Sequence, residues 1–137
     1  MTVSSSLDEG DVDELLEALV ASRPEGLREH RRPLGSFVRD DDGELVAGIA
    51  CHTQFGWLCI EKLWVDNAAR GQNLGSRLLR AAEQEAAQRG CDAAWVDTFS
   101  FQARPFYEAH GYELFAELAD FPAGHSRYFL HKRLGSA

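Results

Sequence analysis

One stretch, Leu63 to Leu79, constrains this chain more than any other. It reads Leu-Trp-Val-Asp-Asn-Ala-Ala-Arg-Gly-Gln-Asn-Leu-Gly-Ser-Arg-Leu-Leu. An apolar strand pattern ends at Val65, a loop carries Arg70, Gly71, Asn73 and Gly75, and a helical pattern follows. The first N–H groups of a helix have no internal partner, so a strand–loop–helix turn presents bare donors. The helix dipole adds partial positive charge at the same point, which makes a seat for a phosphate. Gly71 and Gly75 let a ligand approach the backbone closely. Neither G-x-x-x-x-G-K-[ST] nor G-x-G-x-x-G occurs, so this is not a Walker loop or a dinucleotide fingerprint. A crossover turn using its glycines for geometry alone accounts for these residues equally well at this level.

The rest of the chain sets bounds on what that turn can serve. At 137 residues it reads as a single domain, 1–137, with room for one core. Its longest apolar runs, such as Leu45 to Cys51, fall short of the ~18 residues of a membrane span. The N-terminus lacks a basic start and an apolar segment, so no secretory signal is expected. Cys51, Cys59 and Cys91 have no metal-ligand spacing and read as buried free thiols of a cytoplasmic protein. The net charge of −8 disfavours a nucleic-acid partner and suits a cationic amine, although an acidic surface that simply keeps the protein in solution explains it as well.

Taken in order, Val12, Leu15, Leu16, Leu19 and Val20 form the stripe of a helix with one buried face. Ser6 with Glu9, or Asp8 alone, would cap it, and Pro24 and Gly26 end it. Arg28 to Arg32 reads as a short helix or a loop. Strands are expected at Ser36–Arg39 and Glu44–Thr53 around an Asp-Asp-Asp-Gly turn, then at Trp57–Val65 after Gln54-Phe55-Gly56. The third strand is apolar on both faces except at Glu61 and Lys62, as a central strand would be. A helix from about Asn73 to Arg89 buries Leu74, Leu78, Leu79, Ala82 and Ala86, with Glu85 and Arg89 paired on its outer side, and stops at Gly90. Ala93–Val96 follows as a buried parallel strand, so the crossover is right-handed and its ligand crevice lies at the strands' carboxyl ends. A short helix, Gln102–His110, and two strands, Tyr112–Leu118 and Arg127–Lys132, complete the chain.

Arg70-Gly-Gln-Asn-Leu-Gly-Ser76, after Leu63-Trp-Val65, resembles the acetyl-CoA pyrophosphate loop of the GNAT (GCN5-related) N-acetyltransferases, Gln/Arg-x-x-Gly-x-Gly/Ala. Asn73 stands where the first glycine is usual, and asparagine tolerates a left-handed backbone. Ala103-Arg-Pro-Phe-Tyr-Glu-Ala-His-Gly-Tyr112 resembles the family's Ala-x-x-Phe-Tyr-x-x-x-Gly-Phe/Tyr segment. Antiparallel meander, parallel βαβ unit and closing hairpin are the family's order over roughly residues 34–134. The resemblance implies an α+β fold, a central mixed sheet flanked by helices.

It also implies acetyl-CoA as cosubstrate, with no metal. The pyrophosphate would be held by Arg70, Gly71, Gln72, Asn73, Leu74, Gly75 and Ser76, and the pantetheine amides by the backbone of Leu63, Trp64 and Val65. Ser100 would stand in for the family's cofactor-holding asparagine, with Ala103 opening the following segment. Tyr107 would be the acid that protonates the departing sulfur; without the Arg70–Gly75 loop, core packing of Phe106 and Tyr107 would be the plainer account.

Glu61 is the expected base, because a carboxylate on an apolar strand is costly unless paired or functional. Burial there would favour its protonated form; a salt bridge with Lys62 or an arginine explains it equally. His52, Asp97 and His110 stand in reserve, Asp97-Thr98-Phe99 would face the acceptor, and Trp57, Phe101, Phe121 and His125 could shape an aromatic pocket or simply pack.

The expected activity is acetyl transfer from acetyl-CoA to a primary amine, a small molecule rather than a protein, by direct attack in a ternary complex. The protein would work as a homodimer, without a nucleic-acid or membrane partner. The rival is a non-catalytic acyl-CoA-binding sensor of the same fold.

Overall fold

The computed structural model describes residues 1–3 and 5–135. They fall into two compact units, Met1–His30 and Arg31–Ala137. In the first, α1 spans Glu9–Ala21 and is capped by Asp8, whose carboxylate accepts from the Gly10 N–H at 2.7 Å. The stripe read from the sequence is there, but Leu15 is 69% exposed and Val12, Leu16 and Leu19 are exposed too. Val20 of the same stripe is buried, but among the described residues of this unit no second helix or strand covers the rest. Arg28 to Arg31 form neither helix nor strand.

The second unit is a mixed six-stranded sheet. Its strands are β1 (Arg32–Arg39), β2 (Leu45–Gln54), β3 (Trp57–Val65), β4 (Ala93–Phe99), β5 (Glu113–Ala119) and β6 (Ser126–Arg133). Spatial order is β1-β2-β3-β4-β6-β5, with β3 and β4 parallel and every other pair antiparallel. The β1–β2 turn closes on Asp40, whose carboxylate accepts from the Asp42 and Glu44 N–H groups. The β2–β3 turn has left-handed φ at Phe55 (51°) and Gly56 (78°), the signature of a two-residue hairpin. The last strand inserts between β4 and β5, an arrangement that strand patterning alone does not reveal.

Helix α2 (Leu74–Gln88) joins β3 to β4 and buries Leu74, Leu78, Leu79, Ala82 and Ala86, as its spacing requires. Full burial of each leucine contributes about 1.5–3 kcal/mol. The helix ends in a Schellman motif: Cys91 N–H donates to the Ala86 carbonyl (2.9 Å) and Gly90 N–H to that of Ala87 (3.0 Å), with Gly90 at φ 87°. Arg89 does pair with Glu85 at 3.3 Å, but its side chain is largely buried rather than on an outer face. Its guanidinium donates to the carbonyls of Arg32 and Pro33 and to Thr53 Oγ1, clamping the end of α2 to β1 and β2. The short α3 (Arg104–Ala109) follows β4.

The three cysteines are buried, and Cys51 and Cys59 are free thiols. Burial, helped by neighbouring negative groups, pushes the Cys51 thiol up to about 12 and the Cys59 thiol up to about 11, from an ordinary value of 9.0. The unfolded chain releases these protons first, so between those values it binds fewer protons and stability falls as pH rises. Urea midpoints should therefore drop as pH rises from about 9 towards about 11, and Cys51→Ala should flatten that slope. A slope unaltered by the substitution would show that the thiol is not the group responsible.

Candidate active site

The site begins where β3 and β4 part. Their parallel ladder runs only from Trp57↔Ala93 to Ile60↔Val96, yet β3 continues to Val65 and β4 to Phe99. At that point β3 carries a bulge: Ala50 faces Lys62 and Cys51 faces Ile60, leaving Glu61 as the extra residue. A bulge bends and twists its strand, which turns β3 away from β4 as their pairing ends. The opened edges bound a cleft of about 960 Å³ lined by Glu61–Val65 on one side and Val96–Phe99 on the other. Its remaining walls come from the loop before α2 and from residues between Phe101 and Tyr107.

The loop end of the cleft is the N-terminal end of α2. Asn73 is left-handed (φ 61°, ψ 26°), as a residue replacing glycine there must be, and Gly71 sits at φ 93°. The first helical bond of α2 is Arg77 N–H to the Asn73 carbonyl, so the N–H groups of Leu74, Gly75 and Ser76 precede it. Arg70, Gly71, Asn73, Leu74, Gly75 and Ser76 all line the cleft. A Cβ on Gly75 would meet the Phe106 ring at 3.4 Å and Val65 Cγ2 at 3.7 Å, so a larger side chain would fill this corner.

Tyr107 lies at the cleft on α3 and is only 5% exposed. Its ring packs edge-on against Phe106 and Tyr112, with centroids 5.2 and 5.7 Å away. Burial, reinforced by Cys51 and Asp97, raises the phenol above its ordinary value, so the proton stays on oxygen at neutral pH. A phenol that keeps its proton can serve as a hydrogen-bond donor or an acid.

Glu61 also lines the cleft, but the expected burial is absent: its side chain is 39% exposed, because the bulge sets it at the opened edge. Its partner is neither Lys62 nor an arginine. Glu61 Oε1 lies 3.0 Å from Nδ1 of His52, itself 13% exposed, on the adjoining strand. The other reserves are likewise engaged: Asp97 with Arg127 at 2.8 Å, and His110 Nε2 with Ser76 Oγ at 2.8 Å. Burial lowers His110 below its ordinary value, with the charges of Arg80 and Lys132 acting in the same direction.

Leu63, Trp64, Val65 and Ala103 line the cleft as well, whereas Gln72 and Ser100 are not among its described lining residues. Ser100 Oγ accepts from the Ser126 N–H at 3.0 Å and lies 3.3 Å from His125 Nδ1. The Ala103 N–H donates to buried Thr98 Oγ1 at 3.2 Å, fixing the entry to α3. Trp57 is not beside Phe101; with Trp95, Phe115 and His131 it lines a second hollow, since it lies at the start of β3 and the cleft opens at its end. Gln102 and Phe106 line the cleft without having been singled out as site residues. Phe106 belongs to the Ala-x-x-Phe-Tyr segment, but its place against Gly75 follows from α3 packing there from a distant part of the chain, which no local pattern marks.

The model of the acetyltransferase (GNAT) family matches residues 6–112. The chain belongs to the GNAT acetyltransferases. The blasticidin-S acetyltransferase of Streptomyces morookaense is 41% identical over 126 residues, covering 89% of this chain and 92% of that protein. The crystal structure of an acetyltransferase from Bacillus cereus superposes with a TM-score of 0.81 at 29% identity, covering 97% of both chains. A crystal structure from Agrobacterium tumefaciens gives 0.85 at 34%, covering 97% of this chain and 98% of that one. The mixed sheet is thus a GNAT fold and the protein is an acyltransferase enzyme, so the non-catalytic alternative is set aside. Among the described residues, no helix is long and apolar enough to cross a membrane.

Proposed function

We propose that this GNAT enzyme transfers an acetyl group from acetyl-CoA to the primary amine of a small molecule, both being bound together. The observation that carries this reading is the parting of β3 and β4, flanked by the N-terminal end of α2 and by buried Tyr107. The residues fit acetyl-CoA. The α2 amides and Arg70 suit its pyrophosphate, and Gly75 leaves the corner by Phe106 open. The edge of β3 from Leu63 to Val65, unpaired to β4, offers backbone groups to the pantetheine amides.

In this scheme Glu61, held by His52, takes a proton from the ammonium, leaving a neutral amine. The new N–C bond forms as the C–S bond breaks, Tyr107 gives its proton to sulfur, and the proton lost by nitrogen restores the phenol. Protonated, buried Cys51 and Cys59 are poor nucleophiles, which favours direct attack over an acyl-cysteine. The relative that acetylates blasticidin S favours a small-molecule acceptor. The test is mass spectrometry after incubation with acetyl-CoA and either blasticidin S or a panel of primary amines. A product one acetyl group heavier is expected. If every amine is recovered unmodified, the proposal fails.

A further inference from the structure

The cleft's outer end carries an arrangement that acetyl transfer itself does not require. Phe99, the last residue of β4, and Phe101 both line it, their rings nearly parallel (8°) with centroids 5.2 Å apart. Phe101 is 56% exposed, so one aromatic ring is held out to solvent at the cleft wall. Its orientation is fixed from the side by His125, edge-on at 5.1 Å, and His125 lies 3.3 Å from Ser100 Oγ. Phe121 packs against Phe99 at 5.7 Å. The Arg127 guanidinium lies 5.4 Å from the Phe99 ring centroid and 5.0 Å from that of Phe121, with its charge matched by Asp97. A wall braced in this way keeps an exposed ring in place, and a second flat ring lies against such a face by offset stacking. The Glu61 carboxylate on the opposite side of the cleft supplies complementary charge for a cation.

We infer that the acceptor is a cationic primary amine joined to a planar aromatic or heteroaromatic ring, and that Phe101 selects it by stacking. This rests on the proposed acetyl transfer and names the acceptor class. Benzylamine and cyclohexylmethylamine are matched probes, each a six-membered ring on an aminomethyl group, one flat and one puckered. Wild type should favour benzylamine in kcat/KM by about tenfold, a ratio that aromatic pairing supports. Phe101→Leu keeps apolar bulk and should abolish the preference, Phe101→Tyr should keep it, and acetyl-CoA affinity should be unchanged in both. Saturation-transfer NMR on the CoA-bound protein reads ring contact without turnover, and benzylamine protons should be saturated in wild type more than in Phe101→Leu. Equal kcat/KM for the two amines, or a preference that survives Phe101→Leu, overturns stacking and leaves acetyl transfer standing. If neither amine is acetylated, saturation equal in wild type and Phe101→Leu overturns the inference. Failure of the whole panel with acetyl-CoA is the separate result that removes the transfer reading.

Discussion

Tyr107→Phe should lower kcat by about 10²–10⁴-fold, the usual worth of a positioned general acid, while acetyl-CoA binds as before. The substitution removes one oxygen and leaves the ring packed between Phe106 and Tyr112. Folding should therefore be little changed, and the loss should reflect chemistry. Nearby Tyr112 cannot readily take over, because its hydroxyl donates to Glu83 Oε2 at 2.7 Å. Burial and Glu83 also raise that phenol well above its ordinary value. Steady-state kinetics with calorimetric titration of acetyl-CoA separates the two effects. Wild-type turnover in Tyr107→Phe would show that sulfur leaves without this proton.

Gly75→Leu should weaken acetyl-CoA binding by at least about 100-fold, and Gly75→Ala by much less. The added Cβ would sit 3.4 Å from Phe106, a contact a small shift relieves, but the branched chain beyond it has only the cleft corner to enter. Gly75 lies in the first turn of α2 with φ outside the left-handed region, so neither change strains the backbone. Thermal stability should hold, since alanine and leucine are better helix formers than glycine. Unchanged affinity in Gly75→Leu with retained fold would move the pyrophosphate away from this turn.

Much of this site was legible because its signals are local. The Arg70–Ser76 loop announces itself by glycines between a strand and a helix, and the left-handed Asn73 follows from which residues tolerate that conformation. The buried face of α2 is a matter of period, and its five buried residues are those the spacing picks out. What could not be read depends on pairing between distant segments. The place where β3 leaves β4 is set by one extra residue, Glu61, opposite β2, and no spacing marks a bulge. The same bulge leaves Glu61 exposed and beside His52, where apolar neighbours in sequence had suggested burial. Ser100 reads as a cofactor residue by its position before Tyr107, yet the insertion of β6 beside β4 turns it to Ser126 and His125. Trp57 and Phe101 read as pocket partners by residue type, but Trp57 opens β3 whereas Phe101 lies beyond the far end of its parallel neighbour β4.

Calorimetric titration of the purified protein with acetyl-CoA tests the central claim, that the cleft between the parted strands holds this cosubstrate, without thiol reagents that three native cysteines would confuse. Saturable binding at one site per chain, lost in Gly75→Leu and retained in Tyr107→Phe, is the predicted result. Wild-type protein that takes up no acetyl-CoA would contradict it, because the cleft would then serve some other ligand.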